Sequence, residues 1–528
     1  MQLKNTAVGI ELGSTRIKAV LIDKNHVPLA FGSYEWENSL IDGVWSYSLA
    51  KVHAGVKACY ADLAANVEKK YGVKLTTVGA IGVSAMMHGY LPFDKDGKQL
   101  AEFRTWRNTI TSEASEKLTE LFKFNIPQRW SVAHLYQAVL NGEVHLEKLA
   151  YLTTLAGYVH WKLTGKKVIG IGDASGMFPI DDNTSNYDDT MLNRFDSLLG
   201  KRGYKWNIRN ILPTVLKAGE EGGTLTEEGA LFLDPTGVLQ PGIPVAPPEG
   251  DAGTGMVATN SVRVGTGNVS AGTSSFLMIV VDKALGVHRV IDMVTTPTGK
   301  PVAMVHCNNC TSDINAWLGL FGELVETLGY KQDKEKMFSV LFNKALEGRY
   351  DCGGLVNYNF FSGEEIAGVN AGCPLFLRKP DAEFSLANFM RTQLMAALAT
   401  MKIGIDILVK TEKVKIAKLY GHGGYFKTPG VGQRILSALV EAPVSVMETA
   451  GEGGAYGMGI LAGYMIWKDE QEGLESYLDN KVFKDAVSST LMANNKEIEG
   501  SKEYMRRYIM AMPVEHTAVE LYNGGKDA

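Results

Sequence analysis

Val245 to Phe276 reads VAPPEGDAGTGMVATNSVRVGTGNVSAGTSSF. A lone acid, Asp251, lies between small residues in PPEGDAGTG, and a second small-residue turn, SAGTSSF, follows and runs into the apolar strand Phe276 to Val281. Glycines let backbone N–H groups approach a ligand closely, and Ser and Thr hydroxyls add donors. An acid on one loop and donors on the next suit an attacking hydroxyl and a phosphoryl group. Two ordinary loops of a glycine-rich enzyme would share these features, so the rest of the chain must decide.

The second loop has an echo near the N-terminus. Ala7 to Asp23, AVGIELGSTRIKAVLID, reads as strand, tight Gly13-Ser14-Thr15 turn and strand, a hairpin by its alternation of apolar residues. Val269 to Asp282, VSAGTSSFLMIVVD, repeats the order of turn, apolar strand and Asp, with ten residues from Gly13 to Asp23 and ten from Gly272 to Asp282. Self-similarity across half a chain points to two related domains and to a nucleotide held by both hairpins. A length of 528 residues also requires more than one core.

Between the echoes, Ser46 to Tyr71 has helical spacing, and Val78 to Ser84 is a short buried strand ending at Met87-His88-Gly89. Ligands of α/β sheets bind beyond the carboxyl ends of strands, where Met87 and His88 fall; a single His there is equally a structural hydrogen-bonder. Phe103 to Ile110, FRTWRNTI, groups Trp106, Arg107 and Asn108, an aromatic face beside polar donors of the kind that holds a sugar, or else the capped start of a helix. Leu149 to Leu163 reads as a helix, and Ile171 to Asp182 as a loop and strand. In the second half, Ser385 to Val409 is a long amphipathic helix. Ile416 to Tyr420 is a strand ending in GHGGYFK, and Glu452 to Gly459, EGGAYGMG, begins a small-residue helix. The tail after Pro513 reads as loose.

Composition excludes several classes. Hydrophobic residues are 45% and charged ones 21%, ordinary globular usage, and the net charge of −5 implies no nucleic-acid or acidic-membrane partner. The sequence has no run of about 18 or more apolar residues, and MQLKNTAVGIELG does not read as a signal peptide. Five cysteines, with one CxxC at Cys307–Cys310, fit reduced thiols in a cytoplasm better than a zinc or redox site.

The order of motifs resembles the FGGY-type carbohydrate kinases of the sugar-kinase, actin and chaperone-type ATPase superfamily over nearly the whole chain. GIELGSTRIKAVLID looks like the first phosphate motif, SAMMHGYLPFD with FRTWRNT the sugar-contact region, PPEGDAGTG the catalytic loop and SAGTSSF the second phosphate motif. GHGGYFKTPG with EGGAYGMG resembles the adenosine region, and the MHG and DASG segments look most like xylulokinases. The resemblance implies two RNase H-like α/β domains, 1–258 and 259–515 with a tail at 516–528, and an interdomain cleft for ATP and sugar. It implies Asp251 as catalytic base and sugar contact, and Gly13, Ser14, Thr15, Arg16, Gly272, Thr273 and Ser274 on the phosphates. Gly423, Gly424 and Phe426 fall on the adenosine, and Met87, His88, Trp106 and Asn108 on the sugar. Glu11 and Asp251 would hold Mg²⁺. A cytoplasmic kinase of a ketopentose is expected, with other ketoses or polyols or a degenerate sugar sensor as alternatives, and a homodimer is compatible with it. Four positions depart from the family pattern: Glu11 stands where Asp is usual, Asn108 where Asp is frequent, Ile110 replaces an Arg, and Ala252 follows the base. Phe360 to Leu377 is a loose counterpart of the segment that names the family.

Overall fold

The computed structural model describes residues 2–200, 202–447, 453–486 and 488–523. Its contacts divide into two compact units: Met1–Val262 with Asp282–Val302 and Glu452–Ala486, and Arg263–Val281 with Ala303–Gly451 and Val487–Ala528. The expected division into 1–258 and 259–515 follows the chain, whereas the units are discontinuous. Two stretches expected in the second half, 282–302 and 452–486, pack into the first unit.

In the first unit, β1 (Thr6–Leu12) and β2 (Arg16–Asp23) form the expected hairpin, in antiparallel register from Thr6↔Asp23 to Leu12↔Ile17. β3 (Pro28–Glu35) continues the antiparallel run with a shift at Leu21/Ile22. Helix α1 (Leu49–Tyr71) starts on a Ser48 cap and stops at Gly72, whose φ of 66° ends the helix in the left-handed region. It buries Val52, Val56, Tyr60, Leu63 and Val67. A Cβ on Gly32 of β3 would lie 2.3 Å from the Cys59 carbonyl oxygen, so α1 lies backbone-close on that strand. β4 (Ala80–Ala85) is parallel to β1 and buried throughout, as the apolar run requires. The edge is completed by β5 (Gly223–Thr224) and β6 (Pro244–Val245), while β7 (Glu249–Gly250) pairs with the last two residues of β4, giving the order β5-β6-β4-β1-β2-β3.

The second unit repeats this plan. β8 (Thr266–Ala271) and β9 (Ser275–Val280) form the second hairpin, β11 (Lys418–His422) runs parallel beside β8, and the order within the unit is β10 (Pro301–Cys307)-β9-β8-β11-β12 (Val444–Met447)-β13 (Ser488–Leu491). The echo seen in the sequence is therefore a repeat of topology. Each sheet has a central antiparallel hairpin whose first strand accepts a later parallel strand. Helix Leu386–Asp406 is buried along most of its length. Leu386–Thr411 is apolar and long enough to cross a membrane by composition, yet 78% of its most apolar window is buried inside the protein. The five cysteines are free thiols, four of them buried.

Local readings fail where distant residues intervene. The expected helix Leu149–Leu163 begins as a strand, Tyr151–Thr153, paired with Leu91–Phe93, and only then becomes α2 (Leu155–Thr164). Ile171 to Asp182, expected as loop and strand, opens with a helical turn, α3 (Ile171–Ala174), before the two-residue strand Ile180–Asp181. The tail is not loose over the described residues: helix Asn495–Asn523 runs through Pro513, and the His516 Nε2 contacts the Ala367 carbonyl at 2.7 Å.

Candidate active site

Asp251 is the first residue of helix α4 (Asp251–Ala258), directly after β7. The strand-to-helix junction aims its carboxylate past the carboxyl end of β4, the position that α/β sheets use for ligands. There the Met87 amide donates to Asp251 Oδ1 at 3.1 Å. Burial, reinforced by the nearby Glu11 carboxylate, pushes Asp251 up to about 7 despite N–H donors from Met87 and Ala252.

Glu11 reaches this site from β1. Its carboxylate accepts from the Ala455 amide at 3.3 Å, at the start of helix α5 (Gly453–Trp467). Burial raises its pKa, against the pull of Lys18 and the N–H groups of Ala455 and Gly454. The small residues of α5 serve this contact: a Cβ at Gly454 would sit 2.4 Å from Glu11 Oε1, one at Gly457 2.0 Å from the Thr254 carbonyl oxygen, and one at Gly9 2.1 Å from the Ala455 carbonyl oxygen. The EGGAYGMG stretch, expected to begin a small-residue helix, brings α5 against β1 and α4; its Glu452 lies outside the described residues.

Met87 is joined to Asp251 through its amide, and His88 follows it in the chain. His88 has φ 70°, rare for a non-glycine residue, and its neighbour Gly89 has φ 93°. The Gly89 amide donates to the Arg129 carbonyl at 3.2 Å, and the Ser131 hydroxyl donates to the Gly89 carbonyl at 2.5 Å. The His88 Nδ1 lies 3.3 Å from the Gly176 carbonyl oxygen, with its ring stacked against Trp130. The Trp106 indole N–H donates to Ser14 Oγ at 3.3 Å, which joins this segment to the first turn. Asn108 is different. It is 2% exposed; its Oδ1 accepts from the Trp45 amide at 2.8 Å, and its Nδ2 donates to the carbonyls of Trp45 (2.9 Å) and Thr105 (3.0 Å). Its amide fastens Trp45 to this segment. Arg16 is half exposed and paired with Glu35 at 2.5 Å.

Two acids behind Asp251 escaped the sequence reading. Glu249, 1% exposed, accepts from the amides of Gly172 (3.3 Å) and Asp173 (3.0 Å) and so stabilises the helical turn α3. Gly170 and Gly172 are required there, since a Cβ on either would lie 2.4 Å from a Glu249 carboxylate oxygen. Asp173, also 1% exposed, accepts from the Thr154 hydroxyl at 2.6 Å. Burial drives Asp173 to about 7 and Glu249 to about 8, each acid raised further by a neighbouring carboxylate. The only sequence signal for Glu249 was its place two residues before Asp251.

In the second unit, Gly272, Thr273 and Ser274 form the β8–β9 turn. The Gly272 carbonyl accepts from the Thr311 amide (3.0 Å) and hydroxyl (2.7 Å), and the Thr273 carbonyl from the Cys310 amide (2.9 Å). Gly423, at φ 96°, packs against this turn: a Cβ on it would be 2.5 Å from the Ala271 carbonyl oxygen. Gly424 follows it, and the Phe426 ring lies beneath, against Gly421 and Gly432, 5% exposed. Gly272–Ser274 and Gly423–Gly424 therefore form one glycine-rich corner of this unit.

A divalent cation suits the acids of the first unit. Glu11 and Asp251 are two carboxylates in low-dielectric surroundings, each destabilised as an anion. Mg²⁺ is commonly held by one or two carboxylates plus phosphate oxygens, with water completing the shell. Among the described residues no group of three or more His, Cys, Asp or Glu side chains forms an all-protein metal site.

Comparison with known proteins gives a consistent result. The profile described as the FGGY family of carbohydrate kinases, N-terminal domain, matches residues 6–258, and that of the C-terminal domain matches residues 267–466. A xylulose kinase of Haemophilus influenzae is 22% identical over 450 residues, spanning 82% of this chain and 84% of the relative. Two Lactobacillus acidophilus structures, one described as ligand-bound xylulose kinase and the other as gluconate kinase, each superpose with a TM-score of 0.79 at 14% identity, covering 98% of this chain and 99% of theirs. These likenesses extend over both units, and the chain belongs to the FGGY family of carbohydrate kinases.

Proposed function

We propose that this kinase transfers the γ-phosphoryl group of ATP to a hydroxyl of a ketopentose, converting D-xylulose to D-xylulose 5-phosphate. The observation that carries the chemistry is Asp251: a carboxylate fixed at the start of α4 by the Met87 amide and poised near 7 by burial and Glu11. A base with a pKa near the working pH combines the deprotonated state with a useful driving force for proton transfer. In this reading Asp251 accepts the proton of the attacking hydroxyl, while Met87, His88 and Trp106 orient the sugar. The amides of the Gly13–Thr15 and Gly272–Ser274 turns donate to phosphoryl oxygens, where charge is held in the transition state. Gly423, Gly424 and Phe426 form the nucleoside side. Glu11 and Asp251 would hold Mg²⁺, which when bound neutralises charge on the phosphoryl oxygens. The reading carries with it a cytoplasmic setting, in keeping with five free thiols.

The sugar rests on the similarity to xylulose kinases, and the equal likeness to a protein described as gluconate kinase favours a second reading, a kinase of another ketose or a sugar acid. An ADP-release screen over pentuloses, hexuloses, polyols and aldonates separates them. D-xylulose is expected to give the highest kcat/KM. A tenfold preference for any other acceptor overturns the assignment of the sugar, and ADP release stimulated by none of them overturns the kinase reading in favour of a sensor.

A further inference from the structure

The turn Gly13–Thr15 is held from outside its hairpin by two aromatic residues. The Trp36 indole N–H donates to the Gly13 carbonyl at 2.7 Å, the Tyr47 hydroxyl to the Ser14 carbonyl at 2.5 Å, and the Trp36 amide to the Thr15 carbonyl at 3.1 Å. The two rings stack with centroids 4.3 Å apart and planes at 30°, and Trp36 is 8% and Tyr47 1% exposed. All three carbonyls of the turn are thus pinned to the protein. The Gly13 amide is bonded to the Arg16 carbonyl at 3.1 Å, while among the described residues no protein acceptor is paired with the amides of Ser14 or Thr15.

A peptide group presents either its N–H or its C=O to a given side. A carbonyl turned toward a phosphate would repel it, whereas consecutive N–H groups form an anion-binding concavity. Rotating the Ser14–Thr15 peptide would strip the Tyr47 hydroxyl of its acceptor, and a buried donor without a partner is costly. We propose that Tyr47 and Trp36 are positioning residues of the first phosphate turn, holding its carbonyls back so that the amides of Ser14 and Thr15 meet the terminal phosphates of a nucleoside triphosphate. This rests on the reading of Gly13–Thr15 as a phosphate turn.

Tyr47→Phe removes one oxygen and keeps the ring stack; Trp36→Phe removes the indole donor. Each variant is compared with the full-length wild type in steady-state kinetics and in calorimetric titrations with ATP and with adenosine. The expected result is a ~3–10-fold fall in kcat/KM for ATP, the equivalent of about one hydrogen bond, with the sugar KM within about twofold and adenosine affinity unchanged. Unchanged ATP constants in both variants, whatever their melting temperatures, overturn the proposal, as does an equal loss of ATP and adenosine affinity. Gly13→Val, which crowds the turn, separates the two levels. If it leaves ATP use intact, the turn is not a phosphate site and the underlying reading fails. If it damages ATP use while Tyr47→Phe and Trp36→Phe do not, only the positioning role fails.

Discussion

At the scale of single residues, the site is a set of carboxylates placed where water is scarce. Glu11 is the most informative of them, because the family usually carries Asp at that position. Its carboxylate accepts from the amides of Ala455 and Gly454 on α5, so that backbone donors stabilise it. Glu11→Gln keeps the shape and removes the charge. It should raise the Mg²⁺ concentration needed for half-maximal rate several-fold and lower kcat, because one of the two carboxylates proposed to hold the ion is lost. Full activity at limiting Mg²⁺ would remove Glu11 from the metal site. Much of this level was readable in the sequence: Asp251 stood alone in a small-residue loop, and the Gly13–Thr15 turn had an echo. The hydrogen bonds of Asn108 to Trp45 and Thr105 were not readable from an amide beside a Trp. Tyr47 and Glu249 gave no local sign of their roles, because both act on residues that only the fold brings near.

At the scale of elements, the strands and long helices follow from periodicity and caps. The glycines of α5 read as the start of a small-residue helix, and the structure lays its backbone on Gly9 of β1 and Thr254 of α4. A sequence shows that a helix is small-sided but not which surface it lies against. Gly457→Ala tests the contact, since its Cβ would lie 2.0 Å from the Thr254 carbonyl oxygen and backbone must move. Overpacking of this kind costs about 1–3 kcal/mol, or roughly 2–4 °C in Tm per kcal/mol for a unit of this size. Because α4 carries Asp251 at its start, kcat should fall along with Tm. A wild-type Tm and kcat in Gly457→Ala would mean that α5 does not pack on α4 as described. The turn α3 shows the same limit from the other side: its helical form depends on Glu249, which is distant in sequence.

At the scale of the whole molecule, the buried acids make stability pH-dependent. Folding raises Asp173 to about 7 and Glu249 to about 8, above the ordinary carboxylate range. At these acids the folded state therefore binds more protons than the unfolded state between about pH 4 and 8, and their contribution to stability falls as pH rises through that window. The Tm of the metal-free protein should decrease from pH 6.5 to pH 8, above the range in which the buried His26, His134, His160 and His422, held below their ordinary value, oppose the acids, and Glu249→Gln, neutral at every pH, should flatten the decrease. A Tm that rises over this range would contradict the buried acids. The two-domain plan itself was legible from the repeated hairpin, whereas the return of residues 282–302 and 452–486 to the first unit was not, because a linear boundary cannot express a chain that crosses back. All of these levels converge on Asp251, and its substitution is the most direct measurement. Asp251→Asn preserves shape and the Met87 contact while removing the base, so sugar-dependent ADP release should drop by ~10²–10⁴, with ATP affinity nearly unchanged. Near-normal turnover in Asp251→Asn would contradict the account.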